Sequence, residues 1–212
     1  MEEKRKYLED PCRVSSLPYW KTNCVSVPET MRILHHDDFH KALFAEYSDE
    51  PYFRLKHDLR QVEATVIPEG FALCKASPVV LAEHINSCYG DACMSVDTLR
   101  GYMDRAVYCE ALWIAVKETD SGKIVASGIA ELDREIGEGA LEWIQVSEGY
   151  RRRGLGSYVV KALLWRMKGI ANFVTVSGRW GHPEEPEKLY QKCGFTGNDI
   201  WHVLRKLQEE TP

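Results

Sequence analysis

Hydrophobic positions follow no fixed period as far as residue 66 and fall into short repeating patterns after it. Residues 1–66 are polar and aromatic-rich, interrupted by Pro11, Pro18, Pro28 and Pro51. They predict one or two short strands and a helix near Phe39–Tyr47. The segment Pro51–Val66, with Tyr52, Phe53, Leu55 and Leu59, fits either a strand pair or an irregular lid. Beyond Pro68 the elements sharpen. Phe71–Lys75 reads as a short strand. Pro78 suits the first turn of a helix that carries Val80, Leu81, His84 and Ile85 and ends near Gly90. Ser95 is the candidate N-cap of a second helix, with Leu99, Tyr102 and Met103 as its buried stripe. Ala111–Val116, Ile124–Leu132 and Ala140–Val146 then form a three-strand meander, turning at Asp120-Ser-Gly122 and at Ile136–Gly139. Gly128 is a weak point in the second of these strands.

After Val146 the chain changes character. Residues 147–153 read Ser-Glu-Gly-Tyr-Arg-Arg-Arg and run into Gly154-Leu-Gly156-Ser. A helix is predicted from about Leu155 to Lys168, with Leu155, Val159, Ala162 and Leu163 as its apolar face. Phe173–Ser177 is a strand. Pro183 and Pro186 open a further helix through Leu189 and Tyr190, which Gly194 ends in a left-handed conformation. Trp201–Leu204 is the last strand.

The first N–H groups of a helix lack intrahelical partners and carry partial positive charge. Gly154 and Gly156 let the backbone approach a ligand closely, and Arg151, Arg152 and Arg153 add charge that reaches phosphate oxygens. Together they describe an anion cradle suited to a pyrophosphate. A solvated basic turn would use the same residues. Other phosphate loops fit worse: Ser157 follows Gly156, not Lys, and Val159 stands where a dinucleotide fingerprint has its third glycine.

The stretch Gln145-Val146-Ser-Glu-Gly-Tyr150-Arg151-Arg-Arg-Gly154-Leu-Gly156 resembles the acetyl-CoA motif of the GNAT superfamily of N-acetyltransferases. Leu189-Tyr190-Gln-Lys-Cys193-Gly194-Phe195 resembles the second signature of that family, in the same order. The resemblance covers Phe71 to about Lys206 and implies a mixed α/β (α+β) GNAT-type fold. Its centre would be a mostly antiparallel, splayed sheet flanked by helices. Residues 67–207 would form the N-acetyltransferase domain, and residues 1–66 an N-terminal extension packing on it.

The resemblance also implies roles. Main-chain groups of Ile144, Gln145 and Val146 would line the pantetheine arm of acetyl-CoA, and the Val146 N–H would polarise the thioester carbonyl. Amides of the cradle, with Leu155 and Ser157 inside it, would hold the pyrophosphate. Tyr190 would give a proton to the leaving thiolate. Glu142 is the candidate general base, because strand alternation places it on one face with Ile144 and Val146; Glu131 is its rival. Many family members have an asparagine after the strand equivalent to Phe173–Ser177, whereas Gly178-Arg-Trp-Gly-His182 stands here, and His182 or water would replace it. The expected reaction is direct acetyl transfer, in a ternary complex, to a primary amine of a small molecule or peptide. A non-catalytic acyl-CoA sensor, or a transferase for a longer acyl-CoA, would keep the same cradle.

Composition narrows these readings. The chain has 212 residues and a net charge of −5, against nucleic-acid binding by bulk positive charge and mildly in favour of a cationic acceptor. Hydrophobic residues make up 44% and charged residues 28%, a balance that supports a packed core rather than disorder. No uncharged apolar run approaches the roughly 18 residues of a membrane helix, so no membrane partner is expected. The first residues, MEEKRKYLEDP, do not read as an export signal. Seven dispersed cysteines fit free thiols in a cytoplasmic protein. Cys88 and Cys93 lack further ligands at metal spacing, and no metal is expected. The cluster His35, His36, Asp37, Asp38 and His40 reads as a helix-start cap. Tyr19, Trp20, Tyr47, Tyr52 and Phe53 form a satellite core or wall an acceptor pocket. A homodimer is left open.

Overall fold

The periodic patterns beyond Pro68 close into antiparallel hairpins covered by helices. A computed structural model describes residues 2–75, 77–90 and 93–207. In chain order its elements are α1 (Glu2–Glu9), α2 (Pro11–Val14), α3 (Tyr19–Thr22), β1 (Met31–His35), β2 (Tyr47–His57), β3 (Phe71–Cys74), α4 (Pro78–Cys88), α5 (Val96–Met103), β4 (Trp113–Glu118), β5 (Ile124–Asp133), β6 (Glu138–Val146), α6 (Leu155–Met167), β7 (Phe173–Arg179), α7 (Pro186–Lys192) and β8 (Thr196–Lys206). The chain divides into two compact units. One joins Met1–His57 to Thr175–Pro212; the other is Asp58–Val174. Both mix helices with antiparallel strands, the α+β class the sequence predicts.

In the unit Asp58–Val174 the strands follow the order β3, β4, β5, β6, each antiparallel to the next. Local chemistry starts the helices where it was expected. Ser77 caps α4 by accepting from the Val80 N–H, with Pro78 at its first position, and Ser95 caps α5 by accepting from the Thr98 N–H. One face of the strands is closed by α4 and α5: Leu81, Ile85, Met94, Leu99 and Ile129 form a buried cluster, with Trp113 and Trp143 against it. The other face takes α6, whose Leu155, Val159, Ala162 and Leu163 are all buried.

Gly128 marks a close approach rather than a weak point. A Cβ there would stand 2.6 Å from Val159 Cγ1, 3.0 Å from Leu163 Cδ1 and 3.2 Å from Ile144 Cδ1. Opposite it, β6 carries one extra residue. Ile129 faces Trp143 while Ala130 faces Leu141, so Glu142 is bulged out of the ladder.

In the other unit, β8 lies between β1 and β2, antiparallel to both, so that Leu34 and Pro51 both oppose His202. Two expectations change here. Instead of a helix near Phe39–Tyr47, a short 3-10 turn over Lys41–Ala45 gives way to β2. Tyr47, the end of the expected helix, is instead drawn into the β2–β8 ladder opposite Lys206. The last strand is also longer than Trp201–Leu204, because its pairs with β1 and β2 extend from Thr196 to Lys206. Gly194 ends α7 at φ +95°, as its position predicts.

Gly128→Ala is expected to lower stability by about 1–3 kcal/mol, because the added methyl meets the stiff Val159 side chain. Gly101→Ala, which meets open space in α5, is the control and should be neutral or stabilising. Urea unfolding measures both; a Gly128→Ala chain as stable as the wild type would refute the close packing of α6 on β5.

Candidate functional site

Strand register decides which backbone groups the end of β6 presents. The Ser147 N–H donates to the Val125 carbonyl at 2.9 Å. In an antiparallel ladder hydrogen-bonded pairs alternate, so Gln145 bonds Ser127, and the pairs Ile144–Gly128 and Val146–Ala126 turn their N–H and C=O groups away from β5. The Ile144 carbonyl accepts from the Tyr89 hydroxyl at 3.0 Å, and the Val146 carbonyl from Arg151 Nε at 3.2 Å. The main-chain edge expected to meet an extended ligand therefore exists at Ile144 and Val146. Gln145 differs: its side chain is buried and donates to Ser127 Oγ, and its main chain faces β5.

Directly after this edge the backbone folds into a concave turn. Arg152 adopts φ +63° and Gly154 φ +82°, both left-handed. Leu155 then opens α6, and no side chain caps its N-terminus. Leu155, Gly156 and Ser157 stand in that first turn, where the helix dipole favours an anion. Arg152 and Arg153 are exposed, and Arg151 is half-buried against the strand end. Arg153 lies 5.0 Å from the ring centre of Tyr150, whose hydroxyl donates to Glu118 at 3.0 Å. The bonds from Ser121 and Tyr150 hold the Glu118 carboxyl below its ordinary range, and the same carboxylate raises the Tyr150 phenol. Along the chain, Ile144, Val146 and Arg151–Ser157 thus bring backbone donors, acceptors and guanidinium groups in close succession, chemistry suited to an extended amide-bearing chain that ends in phosphates.

The candidate bases fare differently. The bulge breaks the alternation from which Glu142 was placed on one face with Ile144 and Val146; Glu142 is half-buried at the bulge itself. Glu131 is buried and paired with Arg105 at 2.7 Å, a structural ion pair. Tyr190 belongs to the other unit. It is buried on α7, with ring centres 6.0 Å from Phe53 and 5.7 Å from Phe195. His182 is exposed and accepts from the Glu184 N–H at 3.2 Å, within its own turn.

A buried polar group that sequence reading took only as part of a helix stripe sits beside the β6 edge. His84 Nδ1 lies 2.8 Å from Ser127 Oγ, and Nε2 lies 3.0 Å from Ser147 Oγ. Burial pushes its pKa down from the ordinary 6.5 to about 4. The only signal in the sequence was a histidine among the apolar residues of α4. Cys88 lies beside it, its thiol raised by burial. The turn between Cys88 and Cys93 lies partly outside the described residues.

The histidine cluster of the other unit is a cap with ion pairs. His35 accepts from the Asp37 N–H and lies 3.1 Å from Asp199, while Asp37 pairs with Arg13. His36 Nδ1 meets His202 Nε2 at 2.9 Å, and His202 Nδ1 meets Asp49 at 2.8 Å. Among the described residues, no group of three or more His, Cys, Asp or Glu is placed to hold a metal ion, and no helix is long and apolar enough to cross a membrane. Half-buried Tyr19 meets the buried Tyr7 at a tilt, ring centres 5.2 Å apart, and Phe53 is fully buried, a core position. Cys12 is buried and its thiol is pushed up to about 12, far from reactive.

In the unfolded chain His84 takes up a proton near 6.5, but in the folded chain only near 4. Within that window the unfolded state binds more protons, so the wild type loses stability as pH falls through it and keeps it in full above. Urea unfolding at about pH 7 and about pH 5 should show a larger loss for the wild type than for His84→Gln. Equal losses would mean that the imidazole is not held neutral.

Residues 109–197 match the family model described as an acetyltransferase (GNAT) domain. No curated protein matches. Among solved structures, a GCN5-related N-acetyltransferase from Sphaerobacter thermophilus is similar at 18% identity and TM-score 0.67, over 88% of this chain and 63% of that one. A GNAT-family acetyltransferase from Colwellia psychrerythraea is similar at 14% identity and TM-score 0.58, over 83% of this chain and 64% of that one. A GCN5-related N-acetyltransferase from Kribbella flavida is similar at 17% identity and TM-score 0.52, over 84% of this chain and 68% of that one. At these identities the likeness shows the fold. The chain spans less than two thirds of the length of the first two.

Proposed function

From the match of residues 109–197 to a GNAT acetyltransferase domain model we propose that the chain is an acyltransferase that moves an acetyl group from acetyl-CoA to a primary amine of a small molecule or peptide. The observation that carries the reading is the unbroken run from the outward edge of Ile144 and Val146 to the uncapped N-terminus of α6. That run fits the two chemically distinct parts of coenzyme A. Pantetheine has amides that pair with a strand edge, and the pyrophosphate is an anion for the helix start.

Acetyl-CoA supplies an activated thioester. The residues of the chain do the rest. Arg152, Arg153 and the amides of Gly154 to Ser157 hold the pyrophosphate. Ile144 pairs with the pantetheine amides, for which the Tyr89 hydroxyl must share or yield the Ile144 carbonyl. The Val146 N–H donates to the acetyl oxygen, where negative charge grows as the amine adds. Glu142 receives the proton that the acceptor ammonium gives up, directly or through water. Tyr190 donates a proton to the sulfur as the C–S bond breaks. The transfer is direct, with no acyl-enzyme; burial raises the thiols of Cys12 and of Cys88, which lies beside His84, against the thiolate that a nucleophile needs. The net charge of −5 favours a cationic acceptor.

Free-thiol release across amines, amino acids, polyamines, aminoglycosides and peptides tests the reading; no release with any of them, together with no binding of CoA, overturns it. Gly154→Val should weaken CoA binding at least about tenfold, because a β-branched residue resists φ +82° and crowds the cradle. Calorimetry on the folded variant reads this, and an unchanged Kd would remove the cradle. Tyr190→Phe should lower kcat about a hundredfold with little change in CoA affinity. A Tyr190→Phe enzyme with full kcat would return Tyr190 to the core alone.

A further inference from the structure

Helix α4 holds the end of β6 at two points, and the amide proposed to polarise the thioester lies between them. The first point is Ile144, whose carbonyl accepts from Tyr89, the residue that ends α4. The second is Ser147, whose hydroxyl lies 3.0 Å from His84 Nε2. Val146 sits between Ile144 and Ser147.

Donor and acceptor roles around His84 follow from its neighbours. The Gln145 amide donates to Ser127 Oγ, which leaves the one proton of Ser127 to point at His84 Nδ1, 2.8 Å away. Nδ1 is then the acceptor of a neutral ring, so Nε2 carries the proton and faces Ser147 Oγ; Cys88 Sγ, 3.6 Å from Nε2, and a bond with the Val125 main chain also meet the ring. The chain of bonds runs from Gln145 through Ser127 and His84 to Ser147, and so ties β5, β6 and α4 to the first residue of the turn that leads into the cradle. His84, Ser127 and Gln145 are all buried, so water does not compete for the bonds that meet at Ser127, while Ser147 is half-buried. A simple packing position in α4 would need no such network: Leu81 and Ile85 beside it close the apolar cluster without polar atoms.

We propose that His84 is a positioning residue for cosubstrate binding, its imidazole bracing Ser147 and thereby fixing the Val146 amide and the entry to the phosphate turn. This rests on the acyl-CoA reading of the site and adds a residue outside both recognised motifs. His84 touches neither the cosubstrate nor the acceptor; it acts through Ser147.

The test uses the full chain, CoA as the probe and calorimetry at a temperature where every variant is folded. His84→Ala should weaken CoA binding about tenfold, the worth of one to two buried hydrogen bonds, and Ser147→Ala should do nearly the same. Because both remove one shared bond, the double variant should lose no more than about twofold beyond either single one. His84→Gln, whose amide still donates towards Ser147, should return the Kd to within about threefold of the wild type. A purely structural histidine would lower the thermal midpoint and leave the Kd of the folded protein unmoved. A folded His84→Ala chain with wild-type CoA affinity, or a double variant whose losses add in full, overturns the proposal. If His84→Ala does not fold, Ser147→Ala decides, since it keeps the imidazole; wild-type affinity in that variant also overturns it. A wild type that binds no CoA sinks the acyl-CoA reading itself, whereas a wild type that binds, with variants that bind equally well, sinks the brace alone.

Discussion

Backbone polar groups must find partners, and where the chain supplies none from its own ladder or helix, they are offered to something else. That constraint organises the region from Ile144 to Ser157. At the end of β6, antiparallel pairing with β5 consumes the main-chain groups of Gln145 and turns those of Ile144 and Val146 away from β5. The start of α6 adds uncapped helix N–H groups a few residues on. Neither half is a ligand site alone. Strand edges are often simply solvated, and many helix starts are basic turns. Their succession within one short stretch of chain is what sets this region apart from either feature alone.

The outward edge is only as well defined as the register behind it. A slip of one residue between β5 and β6 would exchange inward and outward groups and bury the wrong half of the strand. Three features pin that register. Gly128 admits α6 so closely that Val159 and Leu163 lie over the spot where a side chain would stand. Trp143, on the opposite face, joins the cluster beneath α4 and α5. The bulge at Glu142 resets the alternation between these anchors and the rest of the strand. Both helical layers therefore fix one hydrogen-bonding phase, and the polar chain through Ser127 and His84 holds its far end.

Much of this was legible in the sequence because its cues are local. Serine caps before α4 and α5, the apolar stripe of α6, the left-handed glycines at 154 and 194, and the meander turns each involve residues within a few positions of one another. What the sequence hid is long-range. β8 lies between two strands from the first sixty residues, and no periodicity in either segment announces that pairing. The bulge is likewise a property of two strands, so simple alternation carried Glu142 to a face it does not share in that manner. His84 looked like one more helix residue because its partners, Ser127 and Ser147, lie 43 and 63 positions away.

The unit built from the two chain ends shows the same economy with a different chemistry. Several of its buried polar groups come in pairs: His202 on Asp49, His35 on Asp199, and Arg54 on the Tyr7 hydroxyl. A charge or dipole removed from water without a partner costs more than most single apolar contacts return, whereas a paired one costs little and tolerates few alternatives. Such pairs add little net stability but strongly penalise mispairing. They join β2 to β8, β1 to β8, and β2 to α1, the long-range contacts for which the hydrophobic pattern of residues 1–66 carries little information. Selectivity of pairing here rests on matched buried polar groups, whereas in the other unit it rests on packing against two helical layers.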